Sequence, residues 1–348
     1  MRIRSSLVLS LVCFIAFPLL AQHRKVIGQQ AVIPGCPGSG DELKMPTELR
    51  AGADRVLSTT LDVVPQTRTV PVYVNQGTAT NPKWVCTETS FDLRLYKNPV
   101  TGQPGFPGPT LRLHRATDDR PGDAFRILLQ NHLPRSNEDC VWEKGNCDCS
   151  DPNNLPQCCQ LKTKPNGMNC FHGDNTTNLH FHGTHVSPQK PQDWVLLQLT
   201  PFGTPAGSVM HGKEFEVTGE FQYAVDPLPK NQSEGTHWYH PHKHGSTAEQ
   251  VGNGMAGAII IEGPFDRWLQ DRYKGRLREK LMVIQQVHDL NFTTKKGQFN
   301  PIPLINGQLV PQVTMYKGEI QRWRLVNANI DATAQLEIDF NGVVDEHV

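Results

Sequence analysis

The stretch Gly235–Gly245, GTHWYHPHKHG, places four histidines within eight positions. Side chains alternate between the two faces of an extended strand, so His240 and His242 share one face while Tyr239 and Pro241 take the other. Two imidazoles on one face can meet at a single site, and imidazole is a common ligand of transition metals. The stretch therefore predicts a β-strand that presents a pair of candidate metal ligands.

A second histidine pair with the same spacing lies about sixty residues upstream, in the stretch NLHFHG that begins at Asn178. Here His180 and His182 share one face, and the apolar Leu179 and Phe181 take the other. A single pair of this kind is more often a solvated or core pair than a metal site. Two such strands side by side would bring four imidazoles together, so the two stretches jointly predict a metal centre.

Both stretches resemble motifs of the multicopper oxidases, the family that includes the laccases. The first domain of those proteins carries His-x-His-Gly and then Gly-Thr-x-Trp-Tyr-His-x-His. Three further segments of this chain agree: Gly108–Arg112 resembles an early strand of the family, and Ile305–Gln308 and Gly318–Ala328 resemble its second domain. The resemblance covers most of the chain after about residue 55.

The resemblance implies a copper cofactor, with dioxygen and an unknown reducing substrate as reactants. In the family, the two pairs supply four of the eight imidazoles of a trinuclear copper cluster that reduces dioxygen to water. By resemblance, His180 binds the mononuclear (type 2) copper, and the dinuclear (type 3) pair is bound by His182, His240 and His242. Asp193 stands at a place similar to that of a family acidic residue that delivers protons, and a simple turn aspartate is an equally good interpretation.

Composition and turn residues predict an all-β protein. The chain contains 29 glycines and 27 prolines, and 37% of its residues are hydrophobic. Short apolar stretches bounded by Gly, Pro, Asn or Asp predict strands, among them Val56–Val64, Val70–Asn75 and Thr110–His114. Such strands are typical of a Greek-key β-sandwich, and the resemblance identifies it as cupredoxin-like. Apolar residues at near-helical spacing in Phe265–Lys280 predict a short connecting helix.

The chain divides into four predicted regions. Residues 1–21, in which two arginines precede an apolar run, predict a secretory signal peptide, and residues 22–54 an N-terminal extension. Residues 55–263 are expected to form a first cupredoxin-like domain, and residues 264–348 an incomplete second one. We therefore expect a secreted or periplasmic fragment of a longer oxidase, whose missing C-terminal domains would be its natural partner.

Charge and hydropathy argue against two classes of partner. Lys plus Arg and Asp plus Glu both number 34, which gives zero formal net charge, and no basic patch stands out. Nucleic acids and anionic membrane surfaces attract basic proteins. After the predicted signal peptide, no stretch approaches the roughly 20 apolar residues of a membrane span. We predict neither a nucleic acid nor a membrane as a partner of the mature chain.

Cysteine spacing predicts an insertion in the first domain, at about residues 135–173. Besides Cys13 the chain has eight cysteines, and six of them lie between residues 140 and 170. That stretch has no hydrophobic period, so it needs covalent bridges to become ordered. An even number in an exported chain favours disulfides. A zinc or copper(I) site is the alternative, since Cys147 and Cys149, or Cys158 and Cys159, could chelate a metal.

Three functional classes remain open: a copper oxidase, a copper-binding chain without turnover, and a zinc hydrolase. The zinc hydrolase is least favoured, because the sequence contains no His-Glu-x-x-His motif. A blue (type 1) copper needs a cysteine thiolate and two histidines. In the terminal motif of the family that cysteine stands between two histidines, and at the corresponding place here Pro241 offers no ligand atom. The resemblance places the type 1 site and the other half of the cluster in segments that this sequence does not contain. We expect the chain alone to bind copper without turnover.

Overall fold

The structure is a computed structural model and describes residues 40–78, 80–81, 83–135, 172–209, 212–287 and 299–330. The predicted signal peptide, most of the predicted extension and nearly all of the cysteine-rich insertion lie outside the described residues, as does the chain after residue 330. Within the described residues, strands predominate and the helices are short. None of those helices has the length and apolar character needed to cross a membrane.

One sheet brings the two histidine stretches onto neighbouring strands. Its five strands, in spatial order, are β1 (Glu48–Arg50), β5 (Thr110–His114), β12 (Gly257–Glu262), β11 (Gly235–His240) and β7 (His180–His182). β11 runs antiparallel to both of its neighbours, while β5 is parallel to both β12 and β1. Strands that are distant in sequence are therefore adjacent in space, as in a Greek-key arrangement.

A second sheet lies against the first. Its five-strand path is β10 (Glu220–Val225), β6 (Ala124–Asn131), β2 (Val56–Asn75), β3 (Trp84–Lys97) and β4 (Pro104–Gly105), and β14 (Phe299–Pro301) also pairs with β2. The sequence predicted two strands, Val56–Val64 and Val70–Asn75, where β2 is one continuous strand that contains Pro65 and Pro71. Both prolines lie after the pairing with β6 ends, at Val63, and before the pairing with β14 begins, at Val72. Between those points only β3 pairs with β2 among the described strands, and a strand edge tolerates proline.

Apolar side chains of the two sheets meet in one core. The core includes residues that are at most 1% exposed, namely Leu57, Leu61, Leu111, Phe125, Ile127, Phe181, Tyr223, Tyr239 and Ile259. Burial of this apolar surface is the main stabilising term, at about 25 cal/mol per Å². The predicted all-β sandwich is thus confirmed. Since Phe181 and Tyr239 point into the core, the histidines beside them in β7 and β11 point to the outer face of the first sheet.

The chain after the sandwich continues into a smaller sheet. This sheet has three strands, in the spatial order β15 (Leu304–Ile305), β13 (Leu277–Gln285) and β16 (Ile320–Asn327), and the helix α2 (Pro264–Arg272) precedes it. Within the sandwich region, β8 (Gln198–Thr200) pairs with β9 (Glu216–Thr218), and the helix α1 (Thr247–Gly252) follows β11. The helix predicted over Phe265–Lys280 is too long. Gly275 has a φ of +71°, which a helix does not allow, and Leu277 already begins β13.

Two buried tyrosines of the core provide a test of the packing around β7. The hydroxyl of Tyr223 accepts a hydrogen bond of 2.9 Å from the backbone N–H of Leu179, the residue before β7. The hydroxyl of Tyr96 is also buried, but it has no hydrogen-bond partner among the described residues. A buried N–H that loses its partner costs about 1–3 kcal/mol. We expect Tyr223→Phe to lower the free energy of unfolding by that amount.

The matched variant is Tyr96→Phe, which removes a hydroxyl that contributes no hydrogen bond. We expect it to leave the free energy of unfolding unchanged or slightly higher, because an unpaired buried polar atom is unfavourable. Urea unfolding followed by tryptophan fluorescence measures both variants. Equal losses for the two variants would contradict the assignment of the Leu179 hydrogen bond.

Candidate metal centre

The antiparallel ladder of β7 and β11 sets the position of the predicted metal ligands. His240 lies directly opposite His180, and Trp238 lies opposite His182. The three histidines therefore share the outer face of the sheet, and His242 follows two residues after His240, just beyond the end of β11. The structure brings together all four predicted ligands, which we call the histidine cluster: His180, His182, His240 and His242.

Ring separations within the histidine cluster are short. The ring centre of His180 lies 5.1 Å from that of His242, 5.3 Å from His240 and 5.7 Å from His182. His240 lies 6.0 Å from His182 and 6.1 Å from His242. A metal–nitrogen bond of about 2.0–2.1 Å puts a ring centre roughly 3.2 Å from the metal, so two rings on one ion are at most about 6.4 Å apart. Each of these pairs is within reach of a shared ion.

The histidine cluster does not form a closed cage. In the part of the chain that the structure describes, no three or more His, Cys, Asp or Glu side chains are grouped so as to hold one ion. His182 and His242 are exposed, whereas His180 is half-buried and His240 is buried. The cluster therefore opens to solvent on the side of His182 and His242, where further ligands would have to enter.

The two ring nitrogens of His240 are in the state that a metal ligand requires. Its Nδ1 lies 2.8 Å from the carbonyl oxygen of Pro241 and donates its proton there. Its Nε2 is buried and has no hydrogen-bond partner among the described residues. Burial above all, together with the positive charge of the other three rings, lowers the pKa of His240 to about 4, against the opposing effect of the Pro241 hydrogen bond. The imidazole is therefore neutral at neutral pH and keeps a free Nε2 lone pair, as metal binding requires.

Asp193 orients the first histidine of the upstream pair. Its Oδ2 lies 2.8 Å from Nδ1 of His180, and its Oδ1 accepts the backbone N–H of Phe181 at 3.0 Å. Asp193 is only 8% exposed. A carboxylate that accepts a hydrogen bond from Nδ1–H fixes the ring and leaves Nε2 for a metal. The acidic residue singled out in the sequence is thus in contact with the histidine cluster.

The pKa of His182, on the open side of the cluster, is also lowered. Partial burial lowers its pKa, and positive charge on His180 and His242 would lower it further. Crowded imidazoles disfavour one another's protonation, because each added charge repels the next. The arrangement therefore favours the neutral form that binds metals.

Two neighbours of the histidine cluster were not predicted as parts of the site. The indole of Trp238 stacks on His240, with ring centres 4.1 Å apart and planes 25° apart, and lies 5.5 Å from His182. Alternation along β11 could have identified it, because it lies two residues before His240. The second neighbour is Asn178, which hydrogen-bonds to the backbone of His242.

Other histidines lie outside the cluster. His114 pairs with Asp123 at 2.8 Å, and His132 lies 3.7 Å from Asp62. His244, in the stretch Gly235–Gly245, has its ring 6.3 Å from that of His172. Spacing alone does not separate this residue from the pairs, because His244 follows His242 at the same interval as His242 follows His240.

A two-sheet Greek-key sandwich with imidazoles on one outer face defines a protein of the cupredoxin-like class. Residues 166–265, which contain both histidine stretches, match the family model for multicopper oxidase. The match confirms the predicted resemblance to the multicopper oxidases over this segment, which is under a third of the chain. Copper is the cofactor that the family implies.

Curated relatives include a multicopper oxidase and a cell division protein. The multicopper oxidase mco of Staphylococcus aureus is 25% identical over 173 residues, which cover 48% of this chain and 34% of that protein. The cell division protein FtsP of Salmonella typhimurium is 31% identical over 118 residues, which cover 32% of this chain and 25% of that protein. The chain thus spans about a third or less of the length of these relatives.

Solved structures include similar proteins. A multicopper oxidase from Campylobacter jejuni, described as a metallo-oxidase, superposes with a TM-score of 0.41 at 20% identity, over 84% of this chain and 44% of that chain. A laccase from Pediococcus acidilactici superposes with a TM-score of 0.40 at 17% identity, over 79% of this chain and 43% of that chain.

Proposed function

We propose that this chain contributes half of the trinuclear copper site of a multicopper oxidase, an enzyme that couples one-electron oxidation of a reducing substrate to reduction of dioxygen to water. The observation that carries the proposal is the buried Nε2 of His240, which has no hydrogen-bond partner among the described residues although its ring lies within 6.1 Å of three other imidazoles. Such an arrangement is unfavourable for a structural histidine and suits a copper ligand.

Roles for the individual ligands follow the family pattern. We assign His180 to the type 2 copper, and the type 3 pair to His182, His240 and His242. The separate Nδ1 partner of His180, Asp193, supports its distinct role, since it leaves the opposite nitrogen for metal. The open side at His182 and His242 would receive the ligands that complete the site.

When bound, copper supplies the one-electron redox chemistry of the family. The residues of this chain hold the rings in place and move protons. Asp193 accepts a hydrogen bond from Nδ1–H of His180 and thereby fixes the tautomer of the ring. The same carboxylate is our candidate proton donor for oxygen reduction, because it is next to the histidine cluster and keeps 8% of its surface in contact with water.

The remaining organisation is proposed on the same basis. We assign residues 55–263 to the first cupredoxin-like domain and residues 264–348 to part of a second, with an exported location that follows from the predicted signal peptide. Cysteines of the insertion are proposed to form disulfides rather than a metal site. The disulfide-bonded state of Cys86 supports that chemistry in this chain.

Copper titration of the full chain tests the proposal. We expect Cu(II) to bind, and the electron paramagnetic resonance spectrum to show nitrogen superhyperfine splitting from several imidazoles. Zinc, titrated in parallel, competes for imidazole but gives no such spectrum. A chain that binds no copper, or a spectrum without nitrogen splitting, would end the proposal.

A second candidate is a copper-binding chain without oxidase turnover. It is favoured by the open geometry of the histidine cluster, since no three or more His, Cys, Asp or Glu side chains among the described residues are grouped so as to hold one ion. Oxygen consumption by the copper-loaded chain with a phenolic donor separates the two candidates. Steady consumption with an intense blue absorption band favours the oxidase, and copper binding without either favours the second candidate.

A further inference from the structure

Asn178 links the two histidine pairs at the point where the strand ladder ends. β7 and β11 pair through His180 opposite His240, and the next equivalent pair would be residue 178 opposite His242. The ladder stops before that pair, because Pro241 has no N–H and the chain leaves the sheet. Instead, Oδ1 of the Asn178 side chain accepts the backbone N–H of His242 at 2.6 Å.

The amide nitrogen of Asn178 also has its hydrogen bonds satisfied. Its Nδ2 donates to the carbonyl oxygens of Val195 and Leu197, at 2.9 and 3.0 Å. These two residues follow directly on the turn that carries Asp193, which in turn holds His180. Asn178 is completely buried. One side chain therefore joins the start of β7, the Asp193 turn and the backbone of His242.

We propose that Asn178 is a positioning residue of the copper site, which fixes His242 relative to His180. The proposal rests on the proposed copper site. A buried amide that donates both of its protons and accepts with its oxygen has one favourable orientation. The amide oxygen of Asn178 therefore holds the backbone of His242 in one position. Without it, His242 would be an exposed residue beyond the end of a strand, free to turn its ring away.

The test compares Asn178→Ala with Asn131→Ala. Asn131 is also completely buried and makes the same three kinds of bond, to the carbonyls of Asn175 and Leu199 and from the N–H of Leu133. It secures the segment that leads into β7 but forms no bond to either histidine stretch. The two variants therefore remove equivalent bonds and differ in the contact with His242.

Two measurements separate positioning from general stability. In metal-free protein, we expect amide hydrogen exchange at His242 to become faster in Asn178→Ala and to stay at the wild-type rate in Asn131→Ala. In copper titrations, we expect Asn178→Ala to lose about 10–100-fold in affinity, as is usual for residues that orient metal ligands. Asn131→Ala should keep the wild-type affinity although it loses stability.

A third variant, Asn178→Ser, leaves a hydroxyl that can donate to one of the two carbonyls, and it keeps the test valid if the alanine variant does not fold. The serine side chain is one bond shorter than the amide and loses the contact with the His242 N–H, so we expect faster exchange at His242 and lower copper affinity, as in Asn178→Ala. Wild-type affinity and exchange in Asn178→Ala would overturn the inference. If wild-type protein binds no copper, the proposed function fails, while the exchange comparison still decides whether Asn178 holds His242.

Discussion

His240→Gln lowers the affinity of the chain for Cu(II) by more than about 100-fold, which is beyond the 10–100-fold typical of residues that only orient a ligand. The expectation follows from the hydrogen bonding of the two nitrogens of the His240 ring. Its Nδ1 is already committed to the carbonyl of Pro241, and its Nε2 is buried without a partner among the described residues. Glutamine has a similar reach but no imidazole nitrogen, so the copper loses a strong ligand. Competition titration against a chromophoric chelator measures the change.

The matched control is His132→Gln. His132 lies beside Asp62 at 3.7 Å, is 43% exposed at its side chain, and lies outside the histidine cluster. We expect copper affinity to remain at the wild-type value in this variant. Equal losses in the two variants would mean that copper binds wherever histidines are available, and would remove His240 from the ligand set.

The face taken by His180, His182 and His240 could be predicted from sequence because it depends on a strictly local rule, whereas His242 lies beyond the end of β11, where that rule does not apply. Alternation in a strand puts His180 and His182 on one face whatever the surroundings are, and the same holds for Trp238 and His240. What alternation leaves open is whether the two strands are neighbours and in which register. The family resemblance supplied that step, and in the structure His240 lies directly opposite His180.

Features that depend on tertiary pairing were less accessible. The sequence predicted two separate strands within β2, yet the strand continues through Pro65, because the partner on that edge, β6, has already ended. Periodic apolar residues predicted a helix through Lys280, whereas α2 ends at Arg272, Gly275 has a φ of +71°, and the following residues join β16 as a partner strand. The role of Asn178 depends on where the ladder stops, which no local pattern specifies.

An ion network joins the sandwich to the smaller sheet. Asp266 of α2 receives the guanidinium groups of Arg322 and Arg324, both on β16, and the Arg324 contact measures 2.7 Å. Glu279 of β13 lies 2.6 Å from Arg324 and 2.6 Å from Arg112 of β5. The two carboxylates thus hold arginines from both sheets in a largely buried setting, where removal of one partner leaves an uncompensated charge.

The pKa of Asp266 shows whether burial or the neighbouring positive charges and hydrogen bonds have the larger effect. Burial alone would raise it, but the backbone N–H of Gly263 and the charges of Arg322 and Arg324 outweigh burial, so the pKa lies below its usual value. A carboxyl with a lowered pKa in the folded state stabilises the protein fully above the unfolded value of about 3.9. That contribution is lost as the pH falls through the lowered folded value.

Asp266→Asn is therefore expected to lower the free energy of unfolding by about 3–5 kcal/mol at neutral pH, since two buried guanidinium groups lose their shared carboxylate. The matched variant, Asp226→Asn, breaks an ion pair with Arg126 that has a similar distance of 2.6 Å but side chains that are 48% and 53% exposed. That pair should contribute at most about 1 kcal/mol. Urea unfolding between pH 3 and pH 8 measures both. The loss in Asp266→Asn should be constant above about pH 5 and shrink below about pH 4; a small loss, or one that grows as the pH falls, would contradict the role assigned to Asp266.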